Sequence, residues 1–305
     1  MFQIVTALTP IFLLIFMGWG FRRLDFPGEA FWPMAGRITY YVFFPALLFS
    51  SLYSASFDEM HFGYVALTII LSMLLVSILM LALRRRLKLT GASYSSFFQG
   101  GLRPNTYVGI SAAYVLYGNQ GLVLAALVIA VMIPLSNLIS VVVVSLVNAN
   151  KPGDRLQTVK TLLHNPMITA CFLGIVANLS GLSLGFGTQE LITVLSQASM
   201  PLGLLSVGAG LRFSGLVGDS RVIALASAIK LLLLPLSAAG LAIFFGLEHD
   251  NAVVVLIFAA LPCGPAAYVL ARQLGGDILL MAEIITIQTL AAFLTMPLVL
   301  GIFRT

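Results

Sequence analysis

Gly100-Gly101-Leu102-Arg103-Pro104-Asn105-Thr106-Tyr107 interrupts the apolar run 93–117, and Leu261-Pro262-Cys263-Gly264-Pro265 interrupts a second run, 250–273. A proline inside a helix removes one backbone donor, and its ring displaces the carbonyl a turn earlier. With glycines beside each proline, the sequence predicts two helices that open into short extended stretches. In lipid such a stretch survives only where protein or a water-lined cavity covers the freed polar groups. The half-helix beyond each break then aims its N-terminal amides and their partial positive charge at that cavity. A lone proline would read as a packing kink, whereas two breaks in matched positions point to the binding site of a transporter.

The chain around these breaks belongs in a membrane. Hydrophobic residues make up 60% of the 305 residues and charged residues 9%, against roughly a quarter charged in soluble domains. Mean hydropathy is +1.04. A span needs roughly 20 apolar residues, and that length predicts about ten helices: 2–21, 31–53, 61–83, 93–117, 121–147, 165–180, 189–210, 219–245, 250–273 and 278–302. The sixth is short. The first run lacks a basic leader, and Arg22 and Arg23 follow it, so it reads as a span rather than a signal peptide. The runs are too long and too uniformly apolar for barrel strands.

Charge orients the bundle. Arg22, Arg23, Arg84, Arg85, Arg86, Lys88, Lys151, Arg155, Lys160, Arg212, Arg221 and Arg272 all fall in connections on one face. The opposite face carries Asp58, Glu59, Glu190, Glu248 and Asp250, with Arg304 as its basic residue. The positive-inside rule makes the first face cytoplasmic and places both termini outside. The net charge of +5 is scattered between apolar runs, so no nucleic acid is expected as a partner.

Five spans precede the loop 149–164 and five follow it. An odd number per unit inverts the second copy, so the expected organisation is a first repeat 1–148, a cytoplasmic linker 149–164 and an inverted repeat 165–305. Pro104 and Pro262 are 158 positions apart, as are Gly118 and Gly276, and Asn119 and Asp277. The second and seventh spans also share a proline, Pro45 and Pro201, at a slightly different offset.

At these residues the sequence resembles the auxin efflux carrier family, which includes the plant PIN-type carriers and bacterial permeases for small organic acids. Leu102-Arg103-Pro104-Asn105-Thr106-Tyr107-Val108-Gly109 looks like the family's Pro-Asn-Thr crossover, and Leu261-Pro262-Cys263-Gly264 like its second crossover. Leu163-His164-Asn165-Pro166 resembles the family's Asn-Pro, and Lys230, five residues before Pro235, is similar to a basic residue held at that spacing. The resemblance implies a 5+5 inverted repeat, a scaffold portion and a transport portion, and carriage of a small carboxylate by an elevator-like movement. Two departures stand out. The plant carriers have a long loop between halves, and they place an acid in the third span, where Val65 to Leu83 is wholly non-ionisable here.

Ionisable groups deep in a membrane are costly unless paired or hydrated, which makes each a functional candidate. The expected substrate-binding residues are Asn105, Thr106, Pro104, Arg103, Pro262, Cys263, Gly264 and Ser50. Asn105 and Thr106 lead, because the backbone is open there. Arg103 reads either as fixed positive charge for an anion or as a partner of freed carbonyls. Lys230 and Glu283 are candidates for coupling or gating, or for a buried structural pair with each other. Asn137 and Gln288 read as gating residues or as amides that stitch helices together.

His61, His164 and His249 lie far apart, and the buried thiols Cys171 and Cys263 stand singly, so no metal or cofactor is expected. The sequence contains no H-E-x-x-H and no phosphate-binding G-x-x-x-x-G-K-[ST]. A membrane enzyme would need a His or carboxylate cluster at depth, and a receptor would more often have seven spans. The expected function is therefore secondary transport of a small organic anion across the plasma membrane, a bacterial inner membrane by resemblance. The expected partners are the lipid bilayer and a small carboxylate, with proton coupling, sodium coupling and a homodimer left open. The runner-up is a sodium-coupled symporter or cation/proton antiporter of similar broken-helix architecture.

Overall fold

A computed structural model describes residues 2–55, 62–147, 166–185, 187–212 and 219–303. The linker, with Lys151, Arg155, Lys160, His164 and Asn165, lies outside the described residues, as do Asp58, Glu59, His61 and Arg304. Every regular element described is helical: α1 (Phe2–Arg23), α2 (Phe31–Ile38), a π turn (Thr39–Phe43), α3 (Phe44–Tyr53), α4 (Phe62–Leu87), α5 (Gly91–Leu102) and α6 (Thr106–Val147). There follow α7 (Pro166–Leu179), α8 (Thr188–Gln197), α9 (Ser199–Gly210), α10 (Ser220–Ala228), a second π turn (Ile229–Leu233) and α11 (Leu234–Phe244). The chain ends with α12 (His249–Ala259), α13 (Ala266–Leu274) and α14 (Ile278–Phe303).

Six stretches are long and apolar enough to span a bilayer on their own: Ile4–Arg23, Gly63–Leu87, Thr106–Ser140, Thr188–Gly210, Ser220–Phe244 and Ile278–Ile302. The other expected spans are assembled from pieces. The second is α2 and α3 joined through the π turn, the fourth is α5 with the start of α6, and the ninth is α12 with α13. The sixth is α7, whose 14 residues reach only about 21 Å at helical rise. This is an all-α integral membrane protein, and Ile78, Phe172, Ile243 and Leu294 stand exposed on its surface for lipid to cover.

Proline chemistry explains the irregular turns. The rings of Pro45 and Pro235 crowd the carbonyls four residues back and offer those carbonyls no N–H. Each proline follows a π turn, 39–43 and 229–233, where the ladder takes in one extra residue. In the seventh span, the helix is interrupted by a turn at Ala198, three residues before Pro201, although Ala198 keeps right-handed helical dihedrals. The sequence places a gap between spans four and five at 118–120, and α6 is two helices that meet there at a sharp kink. Gly118 adopts φ 58 and ψ −141 there, a conformation a side chain would strain.

The elements pack as a four-span layer and a six-span body. In the layer, α1 lies along α9, and α3 lies between α7 and α8. The α1–α9 approach is close enough that a Cβ on Gly208 would overlap the Ile15 carbonyl, and one on Gly18 the Leu205 carbonyl. Arg22 Nη1 donates to the Ala209 carbonyl (2.6 Å) at the end of that seam, and Asn178 Nδ2 donates to the Tyr53 and Ala55 carbonyls at the far end of α3 (2.7 and 2.9 Å). In the body, α4 packs on α11, α12 on α6, and α5 on α6 and α14. The third span buries Thr68, Ser72 and Ser77, whose hydroxyls donate to carbonyls three or four residues earlier in their own helix.

Candidate functional site

The two breaks cross inside the six-span body. Pro104 and Cys263 form an antiparallel bridge, and Asn105 N donates to the Pro262 carbonyl at 2.8 Å. Gly264 makes the crossing possible, because a Cβ there would stand 2.6 Å from the Pro104 oxygen and 3.0 Å from Asn105 Cα.

Each break orphans particular backbone groups, and side chains replace what is lost. The Gly100 carbonyl would ordinarily accept the N–H of residue 104, but Pro104 has none. Gln288 Nε2, from α14, donates to it at 3.0 Å. Cys263 N would ordinarily donate to Ala259; it donates instead to Gln288 Oε1 at 2.8 Å. The vacated Ala259 carbonyl accepts Lys230 Nζ at 3.4 Å. One amide and one amine thus stand in for two missing helix bonds and satisfy the three backbone groups those losses orphan. Beyond the first break, Gly109 N donates to the Asn105 carbonyl (3.1 Å) and Val108 N to Asn105 Oδ1 (3.5 Å), so Asn105 caps the half-helix it opens.

The Lys230–Glu283 pair weighed from the sequence is not formed. Lys230 is wholly buried in the second π turn and reaches Ala259. Gln288 meets the same break, and Glu283 lies five residues nearer the start of α14, about 7–8 Å away along the axis. Glu283 itself is buried, at 6% exposure. Asn137 sits half-buried past Pro134 in α6, and among the described residues no hydrogen bond joins it to the crossing.

Some buried polar atoms at the first break remain without a partner: Asn105 Nδ2, Arg103 Nη1, Gln99 Oε1 and Ser111 Oγ. Asn105 is 1% exposed and Arg103 9%. A desolvated donor left unmade costs about 1–3 kcal/mol, so two donors together call for an acceptor. Gln99 and Ser111 escaped the reading of the sequence; the signal for Gln99 was an amide set directly after Phe97 and Phe98. Thr106 is half-buried in the first turn beyond the break.

Ser50 lies elsewhere. It lines a cavity of about 1020 Å³ between the layer and the body, with Leu47, Ser54, Tyr114, Asn119 and Met200 among its walls. The cavity also takes in Glu248 and Asp250, which places its mouth on the face opposite the arginine-rich connections.

Comparison with known proteins fits this construction. The family model described as "Membrane transport protein" matches residues 136–300, taking in the second break, Lys230 and Gln288. An uncharacterized transporter of Methanothermobacter thermautotrophicus is 26% identical over 290 residues, covering 94% of each chain. With more than half of its length matched, the chain belongs to the membrane transport protein family, in which the auxin efflux carriers also stand.

Proposed function

We propose that the protein is a secondary transporter that carries a small organic anion, a carboxylate, bound at the crossing of its two broken helices. One observation carries this reading: Asn105 Nδ2 and Arg103 Nη1, from residues that flank Pro104 at the open backbone, are buried hydrogen-bond donors without partners. A carboxylate supplies acceptor oxygens and a negative charge together. The N-terminal turn of α6 beyond Asn105 adds its partial positive charge. Pro104, Pro262, Cys263 and Gly264 shape the floor, and Thr106 stands at its edge.

Lys230 and Gln288 hold the breaks open, so that the site persists while it is empty. Alternating access follows from the six-span body sliding as a unit against the four-span layer, in the manner of an elevator. By the positive-inside rule the arginine-rich face is cytoplasmic.

The test is uptake by purified protein in liposomes, across a panel of radiolabelled mono- and dicarboxylates under imposed proton, sodium or voltage gradients. Saturable flux that Asn105→Ala abolishes is the expected result, and the effective gradient names the coupling. Folded protein that moves no acid under any gradient would sink the organic-anion reading.

A further inference from the structure

We propose that the 1020 Å³ cavity is the outer vestibule of the transport path, and that the Phe44 ring is the seal between it and the crossing. This rests on the crossing being the transport site. Three helices carry the case, because each runs from the wall of the cavity to the same buried contact.

On α3, Ser54, Ser51, Ser50 and Leu47 line the cavity at the spacing of one helix face. Phe44 continues that face one turn deeper. On α6, Tyr114 lines the cavity, and Tyr107 lies on the same face two turns deeper. Along α9, Met200 lines the cavity, and Gly203 is one turn further in. All three lines meet. The Phe44 and Tyr107 rings lie 4.7 Å apart between centroids, tilted by 30°. A Cβ on Gly203 would come within 2.9 Å of the Phe44 ring, so the missing side chain is what lets α9 close on it. Phe44 is fully buried, and Asn105 lies two residues beyond Tyr107.

The depth fits a seal. Phe44 and Ser54 are about 15 Å apart at helical rise, half of a hydrocarbon core of about 30 Å. Its two sides also belong to different units. Phe44 and Gly203 sit in the four-span layer and Tyr107 in the six-span body, so sliding the body along the layer parts the rings. The same movement that carries the site breaks the barrier above it.

Cys263 offers a natural reporter, since it forms part of the crossing, is fully buried and is one of only two cysteines. In a Cys171→Ser chain it is the sole thiol. Intact cells are treated with a membrane-impermeant methanethiosulfonate, and modification is followed by the mass of the purified protein. The parent is expected to react slowly, and Phe44→Ala about tenfold faster or more, because thiol reactivity follows access. Phe44→Leu, which keeps an apolar plug, is expected to stay near the parent. Tyr107→Ala removes the other ring and is expected to accelerate labelling too, which covers the case of Phe44→Ala failing to fold. Folded variants that label at the parent's rate would overturn the seal. Labelling requires no flux, so accelerated labelling without carboxylate uptake would leave the seal standing and remove the transport reading.

Discussion

Gln288 holds two positions at once that a regular helix would fill with backbone. Its Nε2 satisfies the Gly100 carbonyl and its Oε1 accepts from Cys263 N, and the side chain is fully buried. Gln288→Leu keeps the volume but strands both backbone groups. Each unsatisfied buried group costs about 1–3 kcal/mol, so the variant with two such groups should lose about 2–6 kcal/mol in an SDS unfolding titration. Gln288→Glu keeps an acceptor for Cys263 N and should lose less. Lys230 behaves differently, although it serves the same break. Lys230→Met strands the Ala259 carbonyl but also removes a buried charge that is expensive to keep out of water. Those terms oppose each other, and its stability should stay within about 1 kcal/mol of the parent. A Lys230→Met chain that unfolds as readily as Gln288→Leu would mean that the amine bears more of the fold than one 3.4 Å contact suggests.

Among the elements, the seam between α1 and α9 is the closest approach in the layer, and glycine makes it. A Cβ on Gly208 would fall on the Ile15 carbonyl, which is backbone and cannot turn aside. Gly208→Val should therefore force the helices apart, at a cost of about 1–3 kcal/mol or more, and lower the melting temperature followed by tryptophan fluorescence in detergent. Gly20, on the same helix α1, has open space where its Cβ would be. Gly20→Ala should be neutral or should raise stability by about 0.5–1 kcal/mol, since glycine is a poor residue inside a helix. If the two substitutions behaved alike, the seam would not be a close-packed one. These elements also show what could be read in advance. Pro104 and Pro262 announced their breaks because a missing N–H is a local property of the chain. Gln288 and Lys230 stand out as polar residues at depth, but they come from other helices, and no spacing along one helix reveals which orphaned groups they meet. The break inside α6 is legible too, because Gly118 adopts the non-helical conformation that glycine tolerates. What the sequence does not show is how closely the two helices turn on each other, which only their packing reveals. A Cβ on Gly121, for example, would overlap the Ala113 carbonyl.

At the scale of the whole molecule, the segregation of charge predicts which way the protein faces. Arg84, Arg85 and Arg86 close α4, Arg22 and Arg23 close α1, and Arg272 lies in the last turn of α13. The cavity opens on the other face, beside Glu248 and Asp250. Moving Lys or Arg across a membrane is the unfavourable step that retains such connections in the cytoplasm. The native cysteines are both buried, so an exposed engineered cysteine reports its own side. Arg85→Cys and Gln189→Cys are suitable, since both positions are exposed and lie at opposite ends of the bundle. In intact cells an impermeant maleimide should label Gln189→Cys and leave Arg85→Cys unmodified until the membrane is permeabilised. The reverse pattern would turn the cavity toward the cytoplasm and make the Phe44 contact an inner seal, and labelling of both would disprove the count of spans that separates residues 85 and 189. The measurement thus fixes direction before any substrate is known. With the cavity outside, the conformation described here has its vestibule open to the exterior and its crossing closed to it, so an anion taken up from outside must wait for the body to move.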